Sequence, residues 1–169
     1  NGAENFDGLN TAPRVMSVDL ATPIDTSQNC ETYVTFLVRQ NTSGLSSSQL
    51  SSSNRILSLD FLNSTGMNQF DFAFRGQQQQ FGIESQADAA GQDAFVGGFA
   101  ANATYLFVGK IAGNGAGANS MQAAIFANGA TVDNFADESF PWTVTAQGSA
   151  GFDPLITQLQ FTSLYEASY

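Results

Sequence analysis

The feature that most narrows the fold of this chain is a stripe of phenylalanine at every second position. Phe70, Phe72 and Phe74 alternate with Gln69, Asp71, Ala73 and Arg75. A period of two is that of a strand with one face toward a core and the other toward solvent. The pattern recurs: Leu57, Leu59 and Phe61 alternate with Ile56, Ser58 and Asp60, and Val34, Phe36 and Val38 alternate with Tyr33, Thr35, Leu37 and Arg39. Further strands are predicted at Arg14–Leu20, Gln80–Glu84, Thr104–Ile111, Met121–Asn128, Trp142–Thr145 and Ile156–Leu164. Gly-, Ser- and Asn-rich breaks at 41–54, 63–68, 113–120, 128–134 and 148–153 separate them. No window sustains an apolar stripe at helical spacing for three turns, and the one helical candidate, Ser85–Gln92, is one or two turns long. Short strands joined by turn signals predict an all-β, antiparallel two-sheet β-sandwich rather than a parallel sheet.

A chain of 169 residues is one ordinary domain, read here as a single unit over 1–169 that is a fragment or module of a larger protein. Charged residues are only 12% of it and the balance is acidic, with 15 acids against 5 bases and a net charge of -10. Nucleic acid is an unsuitable partner for such a surface, because phosphate binding needs clustered Lys and Arg. Histidine is absent, which removes Ser-His and Cys-His catalysis and His-ligated metals. Cys30 is alone, so no internal disulfide can form. No run of 18 apolar residues is present to span a membrane, and the N-terminal Asn1–Asp7 stretch lacks the basic and apolar regions of a signal peptide. Surface positions carry Asn, Gln, Ser, Thr and Gly where cytosolic proteins carry Lys and Glu. That composition points to an extracellular or cell-surface location. Sequons occur at Asn41, Asn63 and Asn102, in a chain rich enough in these residues to produce them by chance. The Ser-rich 43–53 stretch reads as a solvent loop, and the Gln77–Gln80 run as a polar entry into a strand.

Three segments in order, Thr32–Gln40 (TYVTFLVRQ), Thr104–Ile111 (TYLFVGKI) and Met121–Gly129 (MQAAIFANG), resemble the bacterial concanavalin A-like, laminin-G-type jelly rolls of secreted and surface proteins, as in planctomycetes. Asn128 matches an asparagine of that family, while Gly129 stands where proline is usual. Arg14–Leu20 followed by Ala21-Thr22-Pro23-Ile24 is similar to an early strand of the same family. The resemblance runs from about Arg14 to Leu164 and lacks the family's usual closing strand, "F-D-E-I-R-I-G", before Tyr169. It implies a two-sheet sandwich with a concave face, and binding or adhesion rather than catalysis. It carries no ligand residues with it.

The chemistry left open is narrow. Jelly-roll glucanases place two carboxylates on one strand two residues apart, and no glutamate here is followed two residues later by aspartate. The chain is therefore expected not to be an enzyme. Calcium takes carboxylate and carbonyl oxygens, and Asp133, Asp137 and Glu138 fall together in a break after a strand. Asp19, Asp25 and Asp153 are read at other turns, where acids commonly cap backbone amides instead. Carbohydrate binding needs planar polar groups beside flat apolar ones. Polar residues opposite the core stripe meet that need: Asp60, Asp71 and Arg75, with Tyr33 and Arg39 expected on the same outward face. Trp142, after Pro141, is a further candidate platform. The bland reading of the same residues is cross-strand pairing on a solvated face, and of Trp142 a core or rim position. Two functions are expected from different classes. One is a noncatalytic carbohydrate-binding or adhesive module. The other is a structural, self-assembling surface-layer or filament subunit whose partners are neighbouring copies, as a homo-oligomer through an open sheet edge.

Overall fold

The computed structural model describes residues 14–40, 55–76, 79–85, 93–115, 120–130, 140–147, 153–163 and 167–168. Within them the chain is all β. Eleven strands follow in order: β1 (Arg14–Asp25), β2 (Asn29–Gln40), β3 (Arg55–Asn63), β4 (Asn68–Arg75), β5 (Gln80–Ser85), β6 (Ala94–Gly97), β7 (Thr104–Asn114), β8 (Ser120–Ala127), β9 (Val144–Gln147), β10 (Leu155–Ser163) and β11 (Ala167–Ser168). They form a six-stranded sheet in the order β1-β10-β3-β4-β5-β6 and a five-stranded sheet in the order β11-β2-β7-β8-β9. Every ladder is antiparallel. The two sheets pack face to face as a jelly-roll sandwich. Among the described residues no helix is long and apolar enough to cross a membrane.

The alternating runs turn the predicted apolar side chains inward, but the opposite face of β3 and β4, expected in solvent, is buried too at Ser58, Asp60, Gln69, Asp71 and Ala73. Leu57, Leu59 and Phe61 on β3, Phe70, Phe72 and Phe74 on β4, and Phe81 and Ile83 on β5 are all at most 1% exposed. In register, Phe161, Leu59, Phe72, Ile83 and Ala94 stand side by side across five strands. The five-stranded sheet answers with Phe36, Phe107, Ile111, Met121, Ala123 and Val144. Phenylalanine rings bridge the two sheets. Phe72 lies 5.1 Å from Phe107 and Phe36 lies 5.4 Å from Phe161, edge-on, while Phe36 and Phe107, register partners within the five-stranded sheet, are 4.7 Å apart. Tilted and edge-to-face pairs at these separations add to the stabilisation from burial. Gly109 makes the closest fit possible, because a Cβ there would stand 2.7 Å from the ring of Phe72.

Turns carry the acids that the sequence places in breaks. Asp25 accepts at Oδ1 from the Ser27 amide (3.0 Å) and hydroxyl (2.6 Å) in the β1–β2 turn. Asp153 accepts from the Leu155 amide at 3.0 Å. Asn63 organises the β3–β4 turn, taking the Thr65 and Met67 amides on Oδ1 at 3.0 Å each while Gly66 supplies the left-handed φ of 78°. The Asn63 amide nitrogen, the atom a glycan would occupy, donates to Asp153 at 3.1 Å, so this sequon is a turn device.

Three expectations change. Asp19 sits mid-strand in β1 rather than at a turn, accepting from Gln158 at 2.7 Å. Ser85 ends β5, so the helical candidate begins in a strand; its residues 86–92 lie outside the described ones. The first strand runs on to Asp25, and the short strands β6 and β11 are additional.

Phe72→Ala is expected to cost about 3–5 kcal/mol in chemical unfolding, since it empties the middle of the sandwich. Gly109→Ala should cost about 1–3 kcal/mol by overpacking against the same ring. Because both act on one contact, the double variant Phe72→Ala/Gly109→Ala should lose less than the sum of its parts. Additive losses would place the two residues in separate parts of the core.

Candidate functional site

The strands that bury phenylalanine on one side carry polar residues on the other. Register fixes how those residues line up. Ser17 pairs with Gln160, Gln160 with Asp60, Asp60 with Asp71, and Asp71 with Glu84. A single polar row therefore crosses five strands on the outer face of the six-stranded sheet. Three of its members are neighbouring carboxylates. Like charges directly opposite destabilise a sheet unless other groups take them up. Here Thr162 donates to Asp60 Oδ2 at 3.0 Å, Asn68 donates to Asp71 Oδ2 at 3.0 Å, and Arg75 pairs with Glu84 at 2.8 Å. Asp60 Oδ1 is buried without a hydrogen-bond partner among the described residues.

Arg75 is the one of these groups held on several sides. Its guanidinium lies 3.6 Å above the ring of Phe95 on β6, donates to Glu84, and has Asp93 at 3.8 Å. The ladder explains why it can lie flat. Between Arg75 and Glu84 the outer positions of β4 and β5 are Ala73 and Gly82, too small to lift the arm off the sheet. A Cβ at Gly82 would meet the ring of Phe95 at 2.7 Å, so that ring also needs the glycine. The Arg75 side chain keeps 26% of its surface exposed, against 8% for Glu84. Toward β1 the face continues with Gln160 donating to Ser17 at 2.9 Å and Gln158 donating to Asp19.

The structure thus brings together Asp60, Asp71 and Arg75, as the alternation implies. Their depths differ. Asp71 is fully buried and Asp60 8% exposed, so both form the floor beneath the reachable groups. Tyr33 and Arg39 do not share this face. Both point outward from β2, which belongs to the five-stranded sheet, and so stand on the opposite side of the sandwich. Tyr33 donates to Glu31 at 3.4 Å, and Glu31 is ion-paired with the buried Lys110 at 2.8 Å. Trp142 is also remote from the row. Its ring packs edge-on to Phe140 at 4.8 Å, and Phe140 packs on Phe126 of β8 at 5.1 Å. Phe95 and Glu84 are the site residues that sequence reading did not single out. The four-residue β6, which ends in Gly97 before Gly98, gives no alternation long enough to find Phe95.

Asp133, Asp137 and Glu138, the calcium candidates, lie outside the described residues. Among those described, no group of three or more acids or cysteines converges on a point that could hold a metal. A shallow hollow of about 140 Å³ on the far side of the sandwich is lined by Leu37, Leu106, Phe126 and neighbouring backbone. Thr104, Tyr105 and Asn128 also line it, and unlike the Arg75 face it holds no charged residue.

Arg75→Ala leaves Glu84 mostly buried and without its guanidinium. A loss of about 1–2 kcal/mol in urea unfolding is expected, discounted for the partial exposure of Arg75. Adding Glu84→Gln should recover part of that loss. A double variant as unstable as the sum of the singles would show that the pair is not coupled.

No family model matches the chain, and no curated protein matches it in sequence. Among solved structures it is similar to a tetrameric galectin from the ball sponge Cinachyrella sp., at a TM-score of 0.52 and 13% identity, covering 92% of this chain and 99% of that one. At that identity the likeness concerns the fold, and it places this chain's architecture with the concanavalin A-like jelly rolls.

Proposed function

We propose that this chain is a noncatalytic carbohydrate-binding module of a secreted or cell-surface protein, and that it binds glycan across the outer face of the six-stranded sheet. The observation that carries the reading is Arg75. Stacked on Phe95 and tied to Glu84 and Asp93, its guanidinium is already fixed in one orientation while a quarter of the side chain stays open. A planar, preorganised donor of this kind loses little entropy when it meets a pair of hydroxyls. Asp93 beside it, with 45% of its side chain exposed, can accept from the same sugar, and Gln158, Gln160 and Thr162 extend the line of polar partners along the sheet. The lectin fold of the sponge galectin supports the same reading. Hydrolysis fits poorly. It needs two carboxyl groups that reach the glycosidic bond from either side, whereas Asp71 has no exposed surface and Glu84 is engaged by Arg75.

A glycan array followed by titration of the best ligand tests the proposal. Arg75→Ala should weaken binding roughly tenfold to a hundredfold, the usual worth of hydrogen bonds to a charged group. Phe95→Ala should weaken it less, by freeing the guanidinium rather than removing it. No glycan bound by the folded chain would reject the proposal. Loss of binding on Arg39→Ala with none on Arg75→Ala would move the site to the five-stranded sheet.

A further inference from the structure

Asparagine followed by glycine is the dipeptide that most readily rewrites itself in water, because glycine has no Cβ to keep its amide nitrogen away from the asparagine side chain. The chain has three such pairs, Asn1-Gly2, Asn114-Gly115 and Asn128-Gly129. The first lies outside the described residues. The fold treats the other two differently.

Asn114 is the last residue of β7 and stands in register with Asn29 of β2. The backbone after it is packed: a Cβ at Gly115 would lie 3.4 Å from Asn29 Oδ1 and 3.7 Å from the Ser27 carbonyl oxygen. Asn128 follows the last residue of β8, in a turn closed by the Ala130 amide donating to the Ala127 carbonyl at 3.0 Å. Asn128 and Gly129 are both exposed. Among the described residues nothing bonds to the Asn128 side chain or to the Gly129 amide, and a Cβ at Gly129 would meet nothing within 4 Å. The nitrogen and the carbon that must meet are therefore both free to move. The turn also keeps the glycine in place, since Gly129 has a φ of 90°, where a side chain is strained.

We infer that Asn128 is a self-modification site, which in the folded chain converts to aspartate and isoaspartate with water as the only co-reactant. The Gly129 nitrogen, on losing its proton, attacks Asn128 Cγ. The N–Cγ bond forms, the Cγ–Nδ2 bond breaks, and ammonia leaves with the proton. Water then opens the five-membered imide at one of its two carbonyls. Opening at Cγ gives aspartate. Opening at the main-chain carbonyl gives isoaspartate, whose backbone runs through Cγ and is one carbon longer.

The position of the turn gives the change a consequence. Residues 127–130 line the hollow on the five-stranded sheet together with Leu37, Leu106 and Phe126, and no charged residue lines it. Conversion puts a carboxylate on that rim, and isoaspartate also lengthens a turn that a single backbone bond closes. The hollow thus has a neutral state in new chains and an anionic one in aged chains. The Arg75 row, on the other side of the sandwich, has one state throughout, and the inference does not depend on any ligand.

The test holds the 169-residue chain at neutral pH, folded in buffer and unfolded in guanidinium chloride. Converted chains carry one negative charge beyond the -10 of the new chain, so anion exchange separates them and peptide mapping locates the change. Unfolded, Asn114 and Asn128 should convert at similar rates. Folding should leave Asn128 within about threefold of that rate and slow Asn114 at least about tenfold, because Asn114 reacts only when the end of the β2–β7 ladder opens. The rate at Asn128 should rise with pH, as proton loss from the Gly129 amide requires. Asn128→Gln, whose imide would need a six-membered ring, should remove the acidic species and leave the circular dichroism unchanged. Folding that slows Asn128 as much as Asn114 would overturn the inference. So would a product that is aspartate alone, which would mean direct hydrolysis of the side chain without the Gly129 nitrogen.

Discussion

The ring of Phe72 occupies the space that a side chain at Gly109 would fill. That single contact sets the distance between the sheets and much else with it. β4 is held at the middle of its sheet with Phe70 and Phe74 on either side of Phe72, while β7 is held opposite by Phe107 and Ile111. Interiors are close-packed, so a large residue on one layer needs a small one on the other. Val34, Gly109, Ala123 and Val144 form that small row in register across the five-stranded sheet. The orientation of β4 about its own axis follows, and with it the outward direction of Asp71 and Arg75.

The outer face repeats the device with polar groups. Ala73 and Gly82 leave room for Arg75 to lie along the sheet, and the ring of Phe95 supplies an apolar bed for it. Around the guanidinium the charges are unequal. Glu84 and Asp93 flank the Arg75 guanidinium, while farther along the row Asp60 and Asp71 are taken up by Thr162 and Asn68. The carboxylates act through position rather than exposure. They hold a donor, and the donor is what a ligand would meet.

The strands and their inward faces are legible in the sequence because period two is a local property, written in Phe70, Phe72 and Phe74 without reference to anything distant. The turn acids are legible for the same reason, since Asp25 and Asp153 bond to amides two residues on. What is not local is lost. Alternation says that Tyr33 and Asp71 point away from a core, but it does not say from which sheet, and a sandwich has two outsides. Nor does outward mean exposed: Asp71 has no exposed surface and accepts from Asn68 at 3.0 Å, which alternation alone does not show. Phe95 escapes because four residues are too few to show a period, and its role depends on a glycine in another strand.

The core and the polar row are two sides of the same three strands, and this has an evolutionary consequence. Slipping β4 by one residue against its neighbours would exchange every inward phenylalanine with an outward polar group. Changes of length in the β3–β4 turn at Asn63–Met67 are thus closed to selection, because they would destroy the packed core and break up the polar row together. Substitutions at the outward positions remain open one at a time. A lineage built on this chain can change the chemistry this face presents to solvent at Ser17, Asp19 or Arg75, whereas Ser58, Ala73 and Glu84 are held by burial and none of them can be re-spaced.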